Sequence, residues 1–492
     1  MLISTRFCIV LLCAVVFSVC LIAQAPTGQV NGTVVDETGA VIPSATLTLT
    51  SKETGATRKL TSGGDGIFSF PSLQAGAYEI RVEAPGFRTV VQPVTVQTGA
   101  ISTVDTHMQV GQAKEVVTVE ALAAQIEYDR HTIDGVITKQ QIDSLPLNGR
   151  SFLQLAQLQP GVTVSPAGTG EYNRQFDVNI LGRGSESVRV TVDGATENDP
   201  VTGGTQQNFS INVIQEFQIS SANFDLSTCI TAGGAVNIIT RAGTNQFHGA
   251  GFFFFRDHNM AAYPYLQRVP QTPNPFFARR DPGFAVGGPV LKNKLFFFSS
   301  YEHNNQRAAR SAFPTDPLFA SFAAYTTSPY NSNQFTERLD YHLNEKHAMF
   351  LRYSHDGNNT FSPSGDGTQP SNWGVNTNWA DSGVFSIISA LTPSTTNEFR
   401  FSDTFWSNSK NPPRQRSAPD ARVSAARSLI FTASAVFRSV TTQTMLRKAE
   451  CCAVTSRPTT IAGRRVRTAL NLAANGSTKG APAPMRMPSR PA

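Results

Sequence analysis

The stretch GGAVNIITRAGTNQFHGAGFFFF, residues Gly233–Phe255, decides how this chain folds. A glycine pair leads a β-branched run, Thr244 and Asn245 signal a turn, and Phe252, Phe253, Phe254 and Phe255 then stand in a row. Successive side chains of a strand point to opposite faces, so the row places two rings on each face. A strand with one wet face has no use for that. Two settings do: the core between two soluble sheets, and a transmembrane barrel strand whose outer face meets lipid while its inner face packs on material in the lumen.

Composition favours strands over long helices. The 492 residues include Gly 37, Pro 29 and Phe 33, with charged residues at only 15%, which describes turns and β runs in several domains. Residues 1–25 read as a secretory signal: Arg6 gives a positive start, Phe7 to Ile22 is apolar, and Ala23-Gln24-Ala25 is a small-x-small cleavage site. The apolar stretch is shorter than the roughly 20 residues of a spanning helix, so export rather than anchoring is expected. Cys8, Cys13 and Cys20 would leave with the signal, and Cys229, Cys451 and Cys452 offer neither a disulfide framework nor a CxxC metal site.

Charge is divided unequally. Residues 412–492 hold 14 Lys and Arg against Asp420 and Glu450, leaving 27 basic and 33 acidic residues elsewhere, so the body is at −6 and the tail at +12. The tail lacks aromatic interleaving beyond Phe431 and Phe437, has no zinc-ligand spacing, and belongs to an exported chain. No nucleic-acid partner is expected, and the tail reads as a basic, disordered extension.

From Gly28 to Val110 short β runs recur with turn signals every 8 to 12 residues, among them QVNGTVVD, ATLTLTS, GIFSF and GAYEIRVEAPGF. Leu47 and Leu49 alternate with Thr46, Thr48 and Thr50, the signature of a small antiparallel sandwich. VDETGAVIPSATLTLTSKETG and GDGIFSFPSLQAGAYEIRVEAPGF resemble the carboxypeptidase regulatory-like domain, which implies a transthyretin-like β-sandwich over residues 26–111, related in shape to starch-binding modules.

Residues 112–245 combine a linker with a mixed globule. The linker holds KEVVTVEA, Lys114 to Ala121, which reads either as an ordinary strand or as an extended segment that adds to the sheet edge of a periplasmic partner. A short helix breaks at Pro146, Asn148-Gly149 turns the chain, and Ser151 caps a helical face of Phe152, Leu153, Leu155, Ala156 and Leu158. Four strands follow. Leu145-Pro146-Leu147-Asn148-Gly149-Arg150, Gly182-Arg183-Gly184, Val192-Asp193-Gly194 and Gly233-Gly234 before Val236 to Thr240 resemble, in that order, the signatures of the α/β plug domain of TonB-dependent outer-membrane receptors. A sandwich ahead of the plug resembles their Oar-like branch. That likeness implies a cell outer-membrane receptor and transporter for an exogenous ligand, with a TonB-type energy-transducing protein as partner. Cys229 stands near where the family usually has glycine.

The same residues have a physical reading. Asp193-Gly194 and Asn148-Gly149 are turn dipeptides, and Gly233-Gly234 permits close backbone approach where a plug packs on its wall. Arg150, Arg183 and Arg241 are candidates to pair with carboxylates of that wall, the other reading being solvated surface charge.

Residues 246–411 carry the barrel pattern. GFAVGGPVLKNKLFFFSSYEH turns at Lys292-Asn293-Lys294, FTERLDYHLNEKHAMFLRYSHD near Asn344 to His347, and SGVFSIISALTPSTTNEFRFSDTFW at Pro393. Longer loops, Tyr263 to Asp281 and Asp356 to Ala380, fall between hairpins, as in an outer-membrane barrel. Seven or eight strands fit before Asn411, against about 22 in a plugged barrel of this class, so an incomplete antiparallel transmembrane β-barrel is expected. Unpaired edges in lipid cost several kcal/mol per backbone group, which argues against stable insertion of this chain alone. The abrupt change of composition after Asn411 reads as a truncation or a change of coding frame, which puts transport in doubt.

Catalytic patterns are weak. His342 and Glu345 match an HxxE zinc pair but fall at a hairpin turn without a third ligand, Asp193, Asn198 and Asp199 lack calcium-loop spacing, and no GxSxG, HExxH or Walker loop occurs. No enzyme, cofactor or metal site is expected. A second functional reading remains: an exported carbohydrate-binding-like sandwich with a vestigial plug.

Overall fold

The computed structural model describes residues 27–111, 116–118, 133–147, 149–166, 176–199, 203–222, 231–262, 274–312, 324–363, 373–392, 395–411, 429–432 and 446–456. The signal, Asn148, Cys229 and Pro393 lie outside them.

The first domain is the expected sandwich. Its strands are β1 (Gly28–Asp36), β2 (Thr46–Ser51), β3 (Thr57–Thr61), β4 (Ile67–Leu73), β5 (Gly76–Glu83), β6 (Thr89–Val96), β7 (Ile101–Thr103), β8 (Thr106–Met108) and β9 (Val116–Thr118). One sheet runs β4-β1-β7 with β8 also on β1, and the other runs β3-β2-β5-β6-β9. Period-two alternation sends Val30, Val34, Leu47, Leu49, Phe70, Ile80 and Val82 into the core between them, while the threonines of β2 face outward.

The second domain is α/β. It contains β10 (Ile133–Ile137), α1 (Lys139–Ser144), β11 (Val162–Pro166), β12 (Phe176–Ile180), β13 (Val188–Val192), β14 (Ala195–Thr196), β15 (Ile214–Ala222) and β16 (Gly234–Thr240). The central sheet is β10-β15-β16-β13-β14, with β13 and β16 parallel, and β11 with β12 forms a separate hairpin. Phe152–Leu158 is a 3-10 helix rather than an α-helix, without a side-chain cap from Ser151. Its tighter winding buries Phe152, Leu153, Leu155 and Ala156 but leaves Leu158 52% exposed, off the expected face.

The remaining strands form one sheet: β17 (His248–Asp257), β18 (Phe277–Leu291), β19 (Leu295–Ala312), β20 (Ala324–His342), β21 (His347–Pro363), β22 (Trp373–Thr392), β23 (Thr395–Asn411), β24 (Leu429–Thr432) and β25 (Leu446–Ser456). Order follows sequence through β23, then β25 and β24, and the pairs are antiparallel except β24 with β25. The sheet is open, with β17 at one end and β24 at the other. Seven strands lie before residue 412, as expected, but two more lie within the segment expected to be unstructured, where backbone pairing with β23 continues the ladder.

Tight turns join β18 to β19 and β20 to β21 at one end of the sheet, the end at which Thr392 pairs with Thr395. The β18–β19 turn has Asn293 at φ 63°, a left-handed position that asparagine tolerates. At the same end, the Asn245 amide donates to the Glu53 carbonyl at 2.9 Å, and the Asn293 amide donates to Asn245 Oδ1 at 2.8 Å. The sandwich therefore sits at the short-turn end.

The four phenylalanines divide as the alternation requires. Phe253 and Phe255 point outward with ring centroids 6.2 Å apart, and Phe255 is 61% exposed. Phe252 and Phe254 point inward, beneath the Arg150 guanidinium at 4.9 and 4.2 Å. On β19, Phe296 and Phe298 are buried inward, and Phe298 with Ala285 of β18 completes the apolar core of the α/β domain. No second sheet interleaves with the outward rings among the described residues, so the soluble-sandwich reading of this stretch gives way to a wall packed on its preceding domain.

Candidate functional site

The polar contact between the α/β domain and the wall centres on the β13–β14 hairpin. Val192 pairs with Ala195, leaving Asp193 at φ 49° and Gly194 at φ 80° as a two-residue turn with both residues left-handed, which is why Asp-Gly serves here. A Cβ at Gly194 would also collide with the Arg400 guanidinium of the wall. The turn drives the Asp193 carboxylate into the interface, where it is 1% exposed.

Neighbouring wall strands meet it. On β20 and β21 even-numbered side chains face inward, so Arg338, Asp340, Arg352, Ser354 and Asp356 are buried while Leu339, Leu351 and Tyr353 face out. Arg338 Nη1 lies 3.2 Å from Asp193 Oδ1, and its Nε and Nη2 donate to the Asp340 carboxylate at 2.9 Å each. Arg352 Nε lies 3.0 Å from Asp193 Oδ2, and its Nη2 donates to the Val192 carbonyl at 3.3 Å. Thr240, at the end of β16, donates its amide and hydroxyl to the same carboxylate at 3.0 and 2.7 Å. Phe350 and Phe209 lie against the two guanidinium groups at 4.4 and 5.5 Å.

Glu197 and the Arg400–Glu398 pair complete the cluster, which sets three arginines against four carboxylates. Arg352 stands 3.9 Å from Glu197. Burial pushes the Glu197 carboxyl up to about 7, with Arg352 and the Ser382 hydroxyl pulling it down in part. A proton held there near neutral pH offsets the excess negative charge.

Further polar links flank the hairpin. Arg150 donates to Glu302 from Nε at 3.1 Å and from Nη2 at 3.4 Å, and Ser210 donates to Glu302 at 2.5 Å. Asn208 donates its amide and Nδ2 to Asp356 at 3.0 and 2.8 Å. Toward the short-turn end, the Thr98 amide and hydroxyl of the sandwich donate to Glu216 of β15, the amide at 2.6 Å. Burial raises the Glu216 carboxyl, and the two Thr98 donors oppose that rise. Sandwich, β16 and wall together enclose a cavity of about 380 Å³ lined in part by Glu53, Arg241, His248 and Arg338. Burial lowers Arg241 and raises Glu53, with each charge partly offsetting the other's shift.

The expected residues fall in different places. Arg150 reaches a wall carboxylate, while Arg183 donates to the Ala232 carbonyl within its own domain, and Arg241 donates to the Asn212 carbonyl at 3.5 Å and stacks over Phe298 at 5.2 Å. In place of the expected wall carboxylates, Arg183 therefore has a carbonyl of its own domain, and Arg241 has a carbonyl of its own domain and an aromatic ring of the wall. Leu145 ends α1 and leads through Pro146 to Gly149, delivering Arg150 to the wall at φ 61°. Gly234, at φ 141°, leaves no room for a Cβ beside the Ser220 carbonyl and Ile180, and Gly233 donates to the Ser187 carbonyl at 2.7 Å. The close approach of this glycine pair is thus to its own domain, whereas Gly194 meets the wall at Arg400 and Gly243 meets it at the Phe297 backbone. Arg338, Arg352 and Glu302 escaped the sequence reading, although their even-numbered phase opposite Leu339, Leu351 and Tyr301 marks them as inward-facing.

Three family profiles match in order: a carboxypeptidase regulatory-like domain over residues 29–109, a TonB-dependent receptor plug domain over 132–226, and an outer membrane beta barrel domain over 239–320 and 314–450. The chain is 25% identical over 293 residues to the TonB-dependent transporter Oar of Myxococcus xanthus, covering 57% of this chain and 27% of that protein. It is 25% identical over 189 residues to the probable TonB-dependent siderophore receptor PirA of Acinetobacter baumannii, covering 35% of this chain and 23% of that protein. The chain thus spans about a quarter of the length of these curated relatives. The crystal structure of the outer membrane transporter YddB from Escherichia coli overlaps 56% of this chain and 39% of its own at 8% identity, with a TM-score of 0.45.

Proposed function

We propose, from the premise that this chain is a TonB-dependent outer-membrane receptor with a carboxypeptidase regulatory-like sandwich ahead of its plug, that its plug is a gate seated on the wall by exchangeable polar contacts. The carrying observation is Asp193, which two arginines of adjacent wall strands and Thr240 of the plug hold together. An apolar seal would have to expose its whole area to open, whereas each hydrogen bond of a polar interface can be replaced by water as the plug moves.

The topology supports a direction of force. β10 is an edge strand of the plug sheet and the first plug strand after the linker, so a pull from the short-turn side peels it from β15 before it disturbs β16 and β13. A periplasmic TonB-type protein engaging the linker would supply that pull, and export by the signal would bring the chain to it. The ligand is an exogenous solute, a carbohydrate or a chelate of the kind named for the siderophore receptor relative.

Fractionation of cells producing the full chain tests this reading. Recovery in washed outer membrane with migration that changes on heating supports the receptor. Recovery as freely soluble periplasmic protein overturns it in favour of an exported binding module.

A further inference from the structure

The linker strand β9 lies on the sandwich in parallel with β6, in the register Thr89–Val116, Val90–Val117 and Val91–Thr118. The same β6 pairs antiparallel with β5 from Val82–Val90 through Gly76–Val96, so β9 occupies its other edge. That edge accepts little else. Pro93 has no N–H to offer, and the Thr95 carbonyl accepts from the Ser102 hydroxyl at 2.8 Å. β9 docks on the first three residues of β6.

We infer that this edge of β6 is the resting dock of the linker strand, and that the receptor exposes the strand to a periplasmic partner only when β9 leaves the sandwich. A three-residue parallel ladder is a minimal pairing, and parallel pairs are slightly weaker per residue than antiparallel ones. A partner domain with a free sheet edge can pair with a longer run of the Val-rich linker and displace it. The sandwich then acts as a latch on the coupling segment. It is itself tied to β15 of the plug through Thr98 and Glu216, so the latch is fixed close to the gate it controls. This inference rests on the energy-coupling reading above for the identity of the competitor, a periplasmic domain that binds by strand addition.

The test uses the full chain with Val91→Cys and Thr118→Cys, oxidised under mild conditions, with crosslinking read by mass spectrometry of the joined peptides. The comparison pair is Lys59→Cys and Thr118→Cys, because β3 is the opposite edge of the same sheet. Expected are at least tenfold more crosslink in the first pair and at least a tenfold loss of capture by the purified periplasmic domain of a TonB-type protein, restored by reductant. Equal crosslinking in both pairs overturns the dock. A specific crosslink with undiminished capture overturns the exchange. A specific crosslink with no capture by either the reduced or the native chain overturns the energy-coupling reading and ends the exchange with it, while the dock itself stands.

Discussion

Replacing Asp193 with asparagine is the sharpest perturbation of the gate, because the two arginines do not lose equally. Arg338 keeps both hydrogen bonds to Asp340 at 2.9 Å. Arg352 keeps only Glu197 at 3.9 Å as a charged partner among the described residues, and it is fully buried. Leaving a buried charge without its partner costs about 3–5 kcal/mol. Each 1.4 kcal/mol is tenfold, so the seated state should lose about a hundredfold to a few thousandfold in its equilibrium with the open one. Hydrogen exchange of the full chain refolded in detergent reads this directly: amides of β13 and β16 should exchange faster by that factor in Asp193→Asn, with β2 and β5 of the sandwich unchanged. Adding Arg352→Met removes the stranded charge and should bring exchange back to within about tenfold of native, since paired removal of a buried ion pair is often near neutral. A single substitution with less than a twofold effect, or a double substitution worse than the single, refutes the reasoning.

Other outcomes follow from the same contacts. Glu197 has its folded pKa raised to about 7, so the native state binds the extra proton between the unfolded carboxylate value and that point; seating should weaken as pH rises from 5 to 8, and Glu197→Gln should remove the dependence in exchange measured across that range. Gly194→Ala places a Cβ against Arg400 in a left-handed residue, and β13–β14 exchange should rise roughly tenfold or more from a strain of about 1–2 kcal/mol. Thr98→Val removes a hydroxyl from Glu216 and leaves the amide, so protection at Thr98 to Ala100 should fall about ten- to a hundredfold while the wall is unaffected, a charge-assisted bond contributing about 1.5–3 kcal/mol.

Much of the fold was legible because it repeats with period two. Leu47 and Leu49 against their threonines gave the sandwich, and the Phe rows with the turns at Asn293 and Asn344 gave the hairpins. Asp193-Gly194 announced its own turn, since few dipeptides accept two left-handed residues. The partners of Asp193 were harder to see. Arg338 lies 145 positions away and Arg352 159, and nothing local in ERLDYH or FLRYSHD says which plug residue will face them. Only the phase was readable: these charges alternate with outward-facing Leu339 and Leu351. Arg183 and Arg241 misled for the same reason, because a sequence shows a charge but not which domain will supply its acceptor. The strands Leu429–Thr432 and Leu446–Ser456 were hidden by the basic, alanine-rich composition around them.

A nitroxide scan along β21, from Met349 to Asn358 in the detergent-solubilised full chain, bears most directly on whether this sheet is a hydrocarbon-wetted wall with a plug behind it. The account predicts alternation: positions 349, 351 and 353 accessible to apolar oxygen, and positions 350, 352 and 354 immobile and shielded from both oxygen and a water-soluble nickel chelate. Equal access of the chelate to both sets, or oxygen access with no period of two, contradicts it.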